Sequence, residues 1–208
     1  MIVRPPDRPG AAVPWTVVKL GGSVLAHHAL PGLLADLAAR ARRPVAIVPG
    51  GGVFADAVRA AQRACGFDDA LAHRLALDAM GQMAQVLAAI EPRAAILADP
   101  DDFPGAHAAG SMPIWTPVRL RAGHPSIPET WAVTSDSLAL WLATAIRAER
   151  LVLVKAAEPP AGASLERLSR EGVVDAAFPA FATRFKGAIE VAGPSRWAEL
   201  SRPESAPA

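Results

Sequence analysis

The stretch Val17–Ser23 reads Val-Val-Lys-Leu-Gly-Gly-Ser, a short apolar strand that carries a lysine and runs into two glycines. Glycine lacks a Cβ, so its backbone can approach an anionic oxygen closely and present N–H groups to it. Lys19 adds a full positive charge at the same place. The stretch therefore predicts a strand whose end delivers an oxyanion-binding loop.

A second stretch repeats this pattern. The apolar run at residues 45–48 leads into Pro49-Gly50-Gly51-Gly52, and a helical pattern begins at Val53. Each glycine run could simply turn the chain from strand to helix. The pair, with Lys19 beside the first run, instead favours one shared site for phosphate or another oxyanion. Neither loop matches the P-loop or the dinucleotide fingerprint, which indicates another phosphate-binding architecture.

Composition excludes several classes of protein. The net charge of +1 and the absence of a basic run argue against nucleic acid binding. No apolar stretch is long enough for a membrane span and no signal peptide is recognisable, so we expect a cytoplasmic protein without a membrane partner. With 208 residues and about half of them hydrophobic, the chain is long enough for one substantial domain. We place that domain at residues 15–200, with tails at 1–14 and 201–208.

Apolar runs and helical patterns alternate along this domain. They predict strands at 17–20, 45–48, 94–97 and 151–154, and helices at 31–42, 53–64, 69–90 and 136–147. The proline-broken region 99–128 is expected to hold a short edge strand at 114–115. Residues 131–133 are expected to end another strand.

Continuous Val, Ile and Leu in strands separated by helices is typical of a largely parallel sheet covered on both faces. We therefore predict an α/β fold, a three-layer αβα sandwich. Ligands of such sheets bind at the carboxyl ends of the strands. Both glycine loops, residues 134–136 and Lys155 follow predicted strands, so they should gather on one edge of the sheet.

In sequence order, Lys19–Ser23, Pro49–Gly52, Thr134–Ala139 and the strand 151–154 resemble the amino acid kinase family. The short length, the helical stretch Ala72–Met80 and the stretch Trp131–Ala139 make the chain most similar, within that family, to the small branch of aminomethylfuran-methyl phosphate kinases. The resemblance implies the amino acid kinase fold, ATP and Mg²⁺ as cofactors, and a small phosphorylated or anionic acceptor. It favours ATP-dependent transfer of a phosphoryl group to a small phosphomonoester, such as aminomethylfuran-methyl phosphate, giving a diphosphate in the biosynthesis of a methanofuran-type cofactor. It divides the domain into an acceptor side, roughly 15–130, and a shortened nucleotide side, roughly 131–200. A homodimer or higher homo-oligomer is also implied, with assembly with a homologue as an alternative.

The resemblance also suggests roles for individual residues. Lys19, Asp136 and Lys155 would be catalytic, with Asp136 holding the lysines in orientation rather than acting as a base. The candidates for binding phosphate are Gly21, Gly22, Ser23, Gly50, Gly51 and Gly52. Those for binding the nucleotide are Thr134, Ser135, Lys155 and Lys186, and those for binding the acceptor are Gly51, Gly52 and His73. No protein ligands for a metal are expected, because Mg²⁺ would be held mainly by ATP phosphates.

Each of three candidates also has a plain structural interpretation. Asp136 could be an acid that complements the N-terminus of a helix, Lys155 an ordinary solvated lysine, and His73 a structural histidine of the long helix.

The end of the chain departs from the family pattern. Lys155-Ala156-Ala157-Glu158 replaces the usual Asp-x-Asp-Gly stretch, and the Gly-Gly-Met segment that leads to a second catalytic lysine is absent from residues 160–208. Lys155 or Lys186 would have to take the place of that second catalytic lysine. Residues 171–187 could form a shortened cover on the nucleotide side. A catalytically inactive binding or scaffold subunit therefore remains an alternative. A kinase acting on an amino acid carboxylate is another, although Arg59 is about one helical turn too far from Gly50 for a clear arginine clamp.

Overall fold

A computed structural model describes residues 14–39 and 44–200 of the chain. The described residues form a six-stranded sheet in which every strand pair is parallel. Most of the predicted tails, 1–14 and 201–208, and the last residues of the predicted helix 31–42 lie outside the described residues.

The sheet has the order β3-β4-β2-β1-β5-β6, so β1 lies near its centre. Its register aligns Leu20 with Pro49 on one side and with Val154 on the other. The carboxyl ends of three strands therefore lie next to one another. The strands are β1 (Thr16–Leu20), β2 (Val45–Pro49), β3 (Ala94–Leu97), β4 (Met112–Trp115), β5 (Arg150–Val154) and β6 (Ala188–Ala192).

Helices cover both faces of this sheet. They are α1 (Leu30–Ala38), α2 (Gly52–Cys65), α3 (Asp69–Ile90), α4 (Phe103–Ala108), α5 (Ser135–Ala145), α6 (Leu165–Arg170), α7 (Phe178–Ala182) and α8 (Trp197–Leu200). Alternate strand residues face opposite layers. Val17 and Leu151 pack in the core cluster that contains residues of α5, α6 and α7, whereas Val18 and Val152 pack in the cluster with α1 and α8. The predicted three-layer αβα sandwich is confirmed.

Local signals in the sequence define the two long helices. Helix α2 ends at Gly66, which has a φ of +73° and suits the left-handed residue that closes many helices. Helix α3 follows after a short turn, and the side chain of Asp68 accepts a hydrogen bond from the Leu71 N–H as its N-cap. None of the helices in the described ranges is long and apolar enough to cross a membrane.

Two expectations about the less regular segments were wrong, and one strand was not predicted. Strand β4 is not an edge strand, because it lies between β3 and β2. Pro113 is tolerated there since β4 pairs with β2 only at Ile114. Residues 131–133 form a turn rather than the end of a strand. The sequence prediction also missed β6, whose Glu190 interrupts the apolar pattern and pairs with Arg150 and Arg196.

Candidate active site

Two of the chain's three lysines converge on one buried carboxylate at the carboxyl edge of the sheet. Lys19 Nζ lies 2.8 Å from Asp136 Oδ1, and Lys155 Nζ lies 2.8 Å from Asp136 Oδ2. Strand β1 carries Lys19, Lys155 follows β5, and Asp136 lies in the first turn of α5. This Lys–Asp–Lys cluster (Lys19, Asp136 and Lys155) has the geometry expected if Asp136 orients the two lysines.

Burial and pairing set the ionisation of the Lys–Asp–Lys cluster. Burial raises the pKa of Asp136, but the charges of Lys19 and Lys155 and their hydrogen bonds outweigh it and bring that pKa below its ordinary value. Burial and the charge of Lys19 lower the pKa of Lys155, and Asp136 only partly offsets them. With all three groups ionised, the cluster keeps one net positive charge that Asp136 does not neutralise.

The two glycine loops meet beside this cluster. A Cβ on Gly22 would lie 2.1 Å from the Cα of Gly52, so no larger residue fits between the loops. Gly52 also has a φ of +52°, a conformation that favours glycine. The contact brings the end of β1 against the first turn of α2, as the shared-site hypothesis requires.

The glycines of the loops differ in what their N–H groups can do. The Gly21 N–H donates to the Val154 carbonyl at 3.4 Å, and the Gly50 N–H donates to the Leu20 carbonyl at 2.7 Å. These two bonds help to hold the loops in place, and the roles of Gly21 and Gly50 in binding phosphate stay predictions. The first N–H groups of α2, beginning at Gly52, lack acceptors within the helix and suit an anion better.

A cavity of about 230 Å³ opens next to the loops. Its walls include predicted site residues from both halves of the chain, which are Gly22, Ser23, Gly50, Gly51, Gly52, His73, Thr134 and Ser135. Leu77, Met80 and Leu138 add apolar surface. The cavity thus combines backbone donors, a few polar groups and an apolar wall, as small-molecule sites usually do.

An arginine on α2 belongs to the same cavity. Arg59 lines it, and its guanidinium carbon lies 4.2 Å from the centroid of the Trp131 ring. The Trp131 indole N–H donates to Gln62 at 2.6 Å, which fixes the ring, and Arg59 also pairs with Asp56 at 3.2 Å. Arg59 and Gly50 therefore line the same cavity, although nine positions separate them in the sequence.

His73 is buried on α3 and also lines the cavity. Its Nδ1 lies 3.3 Å from the Thr130 carbonyl oxygen, which can only accept, so Nδ1 carries the proton in this contact. Burial lowers the pKa of His73, despite opposing effects of the Thr130 carbonyl and Glu129. The lowered pKa favours the neutral imidazole at pH 7, and the contact with Thr130 favours the tautomer that carries its proton on Nδ1.

Thr134 and Ser135 begin α5 at the cavity, but the Thr134 hydroxyl is already engaged. It donates to Asp175 at 2.9 Å, and the Thr134 N–H donates to the same carboxylate oxygen at 2.8 Å. Asp175 was not among the predicted site residues. The sequence gives no direct signal for it, because an acid after Val173-Val174 looks like an ordinary loop residue.

Lys186 does not join the site. It is exposed and lies directly before Gly187 and β6, so it belongs to the amino edge of the parallel sheet. The Ala188 N–H donates to the Glu149 carbonyl, which precedes β5 at that same edge. A five-residue strand is about 16 Å long, beyond the reach of a lysine side chain. The expectation that Lys186 binds the nucleotide phosphates was wrong.

Comparisons of sequence agree with this architecture. A model of the amino acid kinase family matches residues 14–100. A curated relative, (5-(aminomethyl)furan-3-yl)methyl phosphate kinase from Methanocaldococcus jannaschii, is 28% identical over 185 residues, which cover 82% of this chain and 83% of the relative.

Solved structures share the fold. Uridylate kinase from Archaeoglobus fulgidus superposes with a TM-score of 0.62 at 18% identity, covering 91% of this chain and 96% of that chain. UMP kinase from Ureaplasma parvum gives a TM-score of 0.61 at 15% identity, covering 87% and 90%. At these identities the likeness shows the fold alone.

Proposed function

We propose that this chain, which is a kinase and belongs to the amino acid kinase family, transfers the γ-phosphoryl group of ATP to a small phosphomonoester, giving a diphosphate. The observation that carries the proposal is the buried Lys–Asp–Lys cluster at the strand ends, beside two touching glycine loops and an open cavity. The name of the Methanocaldococcus jannaschii relative supports (5-(aminomethyl)furan-3-yl)methyl phosphate as the acceptor.

Phosphoryl transfer needs positioning and neutralisation of charge more than it needs covalent chemistry. Lys19 and Lys155 would stabilise the negative charge on the transferred group, because their paired carboxylate leaves one positive charge uncompensated. Asp136 is poorly suited to act as a base, since its pKa lies below the ordinary value and both its oxygens bind lysine. A phosphomonoester acceptor suits this arrangement, because an acceptor that is already an anion needs no deprotonation.

The cavity wall supplies the contacts for such an acceptor. Gly51, Gly52 and Ser23 would hold its phosphate near the lysines. Arg59, which is partly exposed, can offer guanidinium donors to an anion, and Trp131 and Met80 offer apolar surface to a ring. His73 would contribute an acceptor nitrogen, since its lowered pKa favours the neutral imidazole.

Mg²⁺ would accompany ATP as the charge-neutralising partner of its phosphates. Within the described residues, no group of three or more His, Cys, Asp and Glu side chains is arranged to hold a metal ion. Binding mainly through the phosphates of the nucleotide fits that donor set.

A carboxylate acceptor is the second candidate, and Arg59 is the observation that favours it. An arginine that lines the cavity can grip a carboxylate as well as a phosphate, because its fork of donors fits both groups. The acceptor class therefore has to be decided by turnover.

The test follows ADP release by the purified protein with ATP and Mg²⁺, using a panel of phosphomonoesters and amino acid carboxylates. The panel includes (5-(aminomethyl)furan-3-yl)methyl phosphate. We expect turnover with a phosphomonoester, and Lys19→Ala should lower it by about 10²- to 10³-fold. Lys186→Ala serves as the matched control, because it removes a lysine from the opposite edge of the sheet.

The outcomes separate the candidates. Turnover confined to carboxylates would replace the proposed acceptor class with the second one. No turnover with any acceptor, together with no increase in melting temperature on adding ATP and Mg²⁺, would contradict phosphoryl transfer from ATP at this site.

A further inference from the structure

The carboxylate of Asp175 receives four hydrogen bonds from the start of α5. The Thr134 N–H and hydroxyl donate to it at 2.8 and 2.9 Å, and the Ser137 N–H and hydroxyl donate at 3.0 and 2.5 Å. Asp175 comes from the loop between α6 and α7, about forty residues further along the chain. A carboxylate with four donors on two residues of one turn holds that turn firmly, because charge-assisted hydrogen bonds are stronger than neutral ones.

This contact replaces the usual cap of α5. Thr134 occupies the N-cap position, yet its side chain does not bond to the helix it precedes. Asp175 accepts the Ser137 N–H instead, at the position where an N-cap side chain normally does so. Its negative charge also complements the positive end of the helix dipole.

The turn that Asp175 holds is the one that presents Asp136. Thr134 and Ser137 lie on either side of Ser135 and Asp136 in sequence, so both ends of this segment are fixed. Ser137 is fully buried and Asp136 is nearly so, which leaves the turn little room to rearrange.

We propose that Asp175 is a positioning residue for phosphoryl transfer: by capping α5 from the α6–α7 loop it fixes Asp136 between Lys19 and Lys155. This proposal rests on the proposed function for its kinetic consequences. It also gives a role to the C-terminal region, where the sequence departs from the family pattern. Through Asp175, the α6–α7 loop holds the first turn of α5, which carries Asp136.

The proposal has an electrostatic consequence at Lys155. The charged groups that act on this lysine are Lys19 from β1, Asp136 from α5 and Asp175 from the α6–α7 loop. Burial and Lys19 lower the pKa of Lys155, whereas Asp136 and Asp175 raise it. Neutralising Asp175 should therefore lower that pKa further, so that Lys155 loses its proton at a lower pH.

The kinetic test compares Asp175→Asn and Asp175→Ala with Asp102→Asn, a matched change at an exposed turn. We expect kcat to fall by up to about 100-fold in Asp175→Ala, because small displacements of a catalytic group are costly. The acceptor KM should change less than kcat, since Asp175 itself is not part of the cavity wall and acts on it only through Thr134 and Ser135. The alkaline limb of the kcat profile should move to lower pH in Asp175→Asn and stay in place in Asp102→Asn.

A second measurement does not depend on turnover. The chain has only three lysines, so ¹³C-lysine labelling gives three side-chain signals that single Lys→Arg variants assign. We expect the Lys155 signal to titrate at lower pH in Asp175→Asn than in the wild type, while the Lys186 signal is unchanged.

The two tests fail in different ways. An inactive wild type would contradict the proposed function, and the lysine titration would still decide the inference about Asp175. An unchanged Lys155 titration in a folded Asp175→Asn protein would overturn the inference, as would a wild-type kcat in Asp175→Ala. A rise in acceptor KM with kcat unchanged would also overturn it, because that pattern belongs to a binding residue.

Discussion

Lysine side chains have opposite environments at the two edges of the central sheet. At the carboxyl edge, Lys19 and Lys155 are largely buried and share one carboxylate. At the amino edge, Lys186 is exposed and lies before a strand. The difference follows from strand direction, because all six strands are parallel and their carboxyl ends open together toward the glycine loops and the cavity.

This comparison shows what makes a lysine useful to a kinase. A lysine in water is strongly hydrated and gains little by meeting a phosphate. Lys19 and Lys155 are already desolvated, and Asp136 fixes them in place, so little reorganisation accompanies their contact with a transferring group.

The largest effect is expected from Asp136→Ala. The substitution leaves two neighbouring lysines without their carboxylate, and losing one partner of a buried ion pair typically costs about 3–5 kcal/mol. Turnover should fall at least as far as in Lys19→Ala, since both lysines lose their orientation. Urea unfolding and ADP release measure the two effects. Unchanged stability would show that the cluster is more hydrated than its burial indicates.

A pair of glycine substitutions separates packing from chemistry. A Cβ on Gly22 would lie 2.1 Å from Gly52 Cα, and a Cβ on Gly187 at the amino edge would lie 2.5 Å from the Glu149 carbonyl oxygen. Each Gly→Ala change should therefore lower the free energy of unfolding by about 1–3 kcal/mol.

Only the substitution at the carboxyl edge should alter catalysis. We expect Gly22→Ala to raise the acceptor KM, because it forces the two loops apart, and Gly187→Ala to leave KM unchanged. If Gly22→Ala and Gly187→Ala lost similar stability and raised the acceptor KM equally, the two edges of the sheet would not differ in their importance for catalysis.

The pH dependence of turnover gives a smaller but more specific effect. Burial and the charge of Lys19 hold the pKa of Lys155 below the ordinary lysine value of 10.5, so activity should fall as the pH rises through a midpoint below that value. Arginine keeps its charge throughout this range. Lys155→Arg, if active, should therefore lose the alkaline limb, and Lys186→Arg should retain it. If Lys155→Arg still lost activity at alkaline pH, a group other than Lys155 would be responsible for that loss.

The smallest expected effect is that of Lys186→Ala. An exposed lysine at the amino edge touches neither the cavity nor the Lys–Asp–Lys cluster. Turnover and stability should both stay close to those of the wild type, with a change within about 0.5 kcal/mol for stability. A large loss of activity would mean that the nucleotide reaches the far edge of the sheet.

The sequence predicts the carboxyl edge better than the rest of the molecule, for a physical reason. Glycine loops, apolar strands and the N-cap of α3 are local signals, and Lys19 and Asp136 lie within such motifs. The position of β4 inside the sheet depends on pairing with distant strands, so Pro113 misleadingly indicated an edge. Asp175 could not be predicted because its four donors lie about forty residues away.

We propose that the carboxyl edge of the sheet transfers a phosphoryl group from ATP to a phosphomonoester. The most direct test is ³¹P NMR of a reaction with ATP, Mg²⁺ and (5-(aminomethyl)furan-3-yl)methyl phosphate, run with the wild type, Asp136→Ala and Lys186→Ala. We predict the paired signals of a diphosphate product alongside ADP for the wild type and Lys186→Ala, and their loss in Asp136→Ala. Diphosphate formation at the wild-type rate in Asp136→Ala would contradict the account.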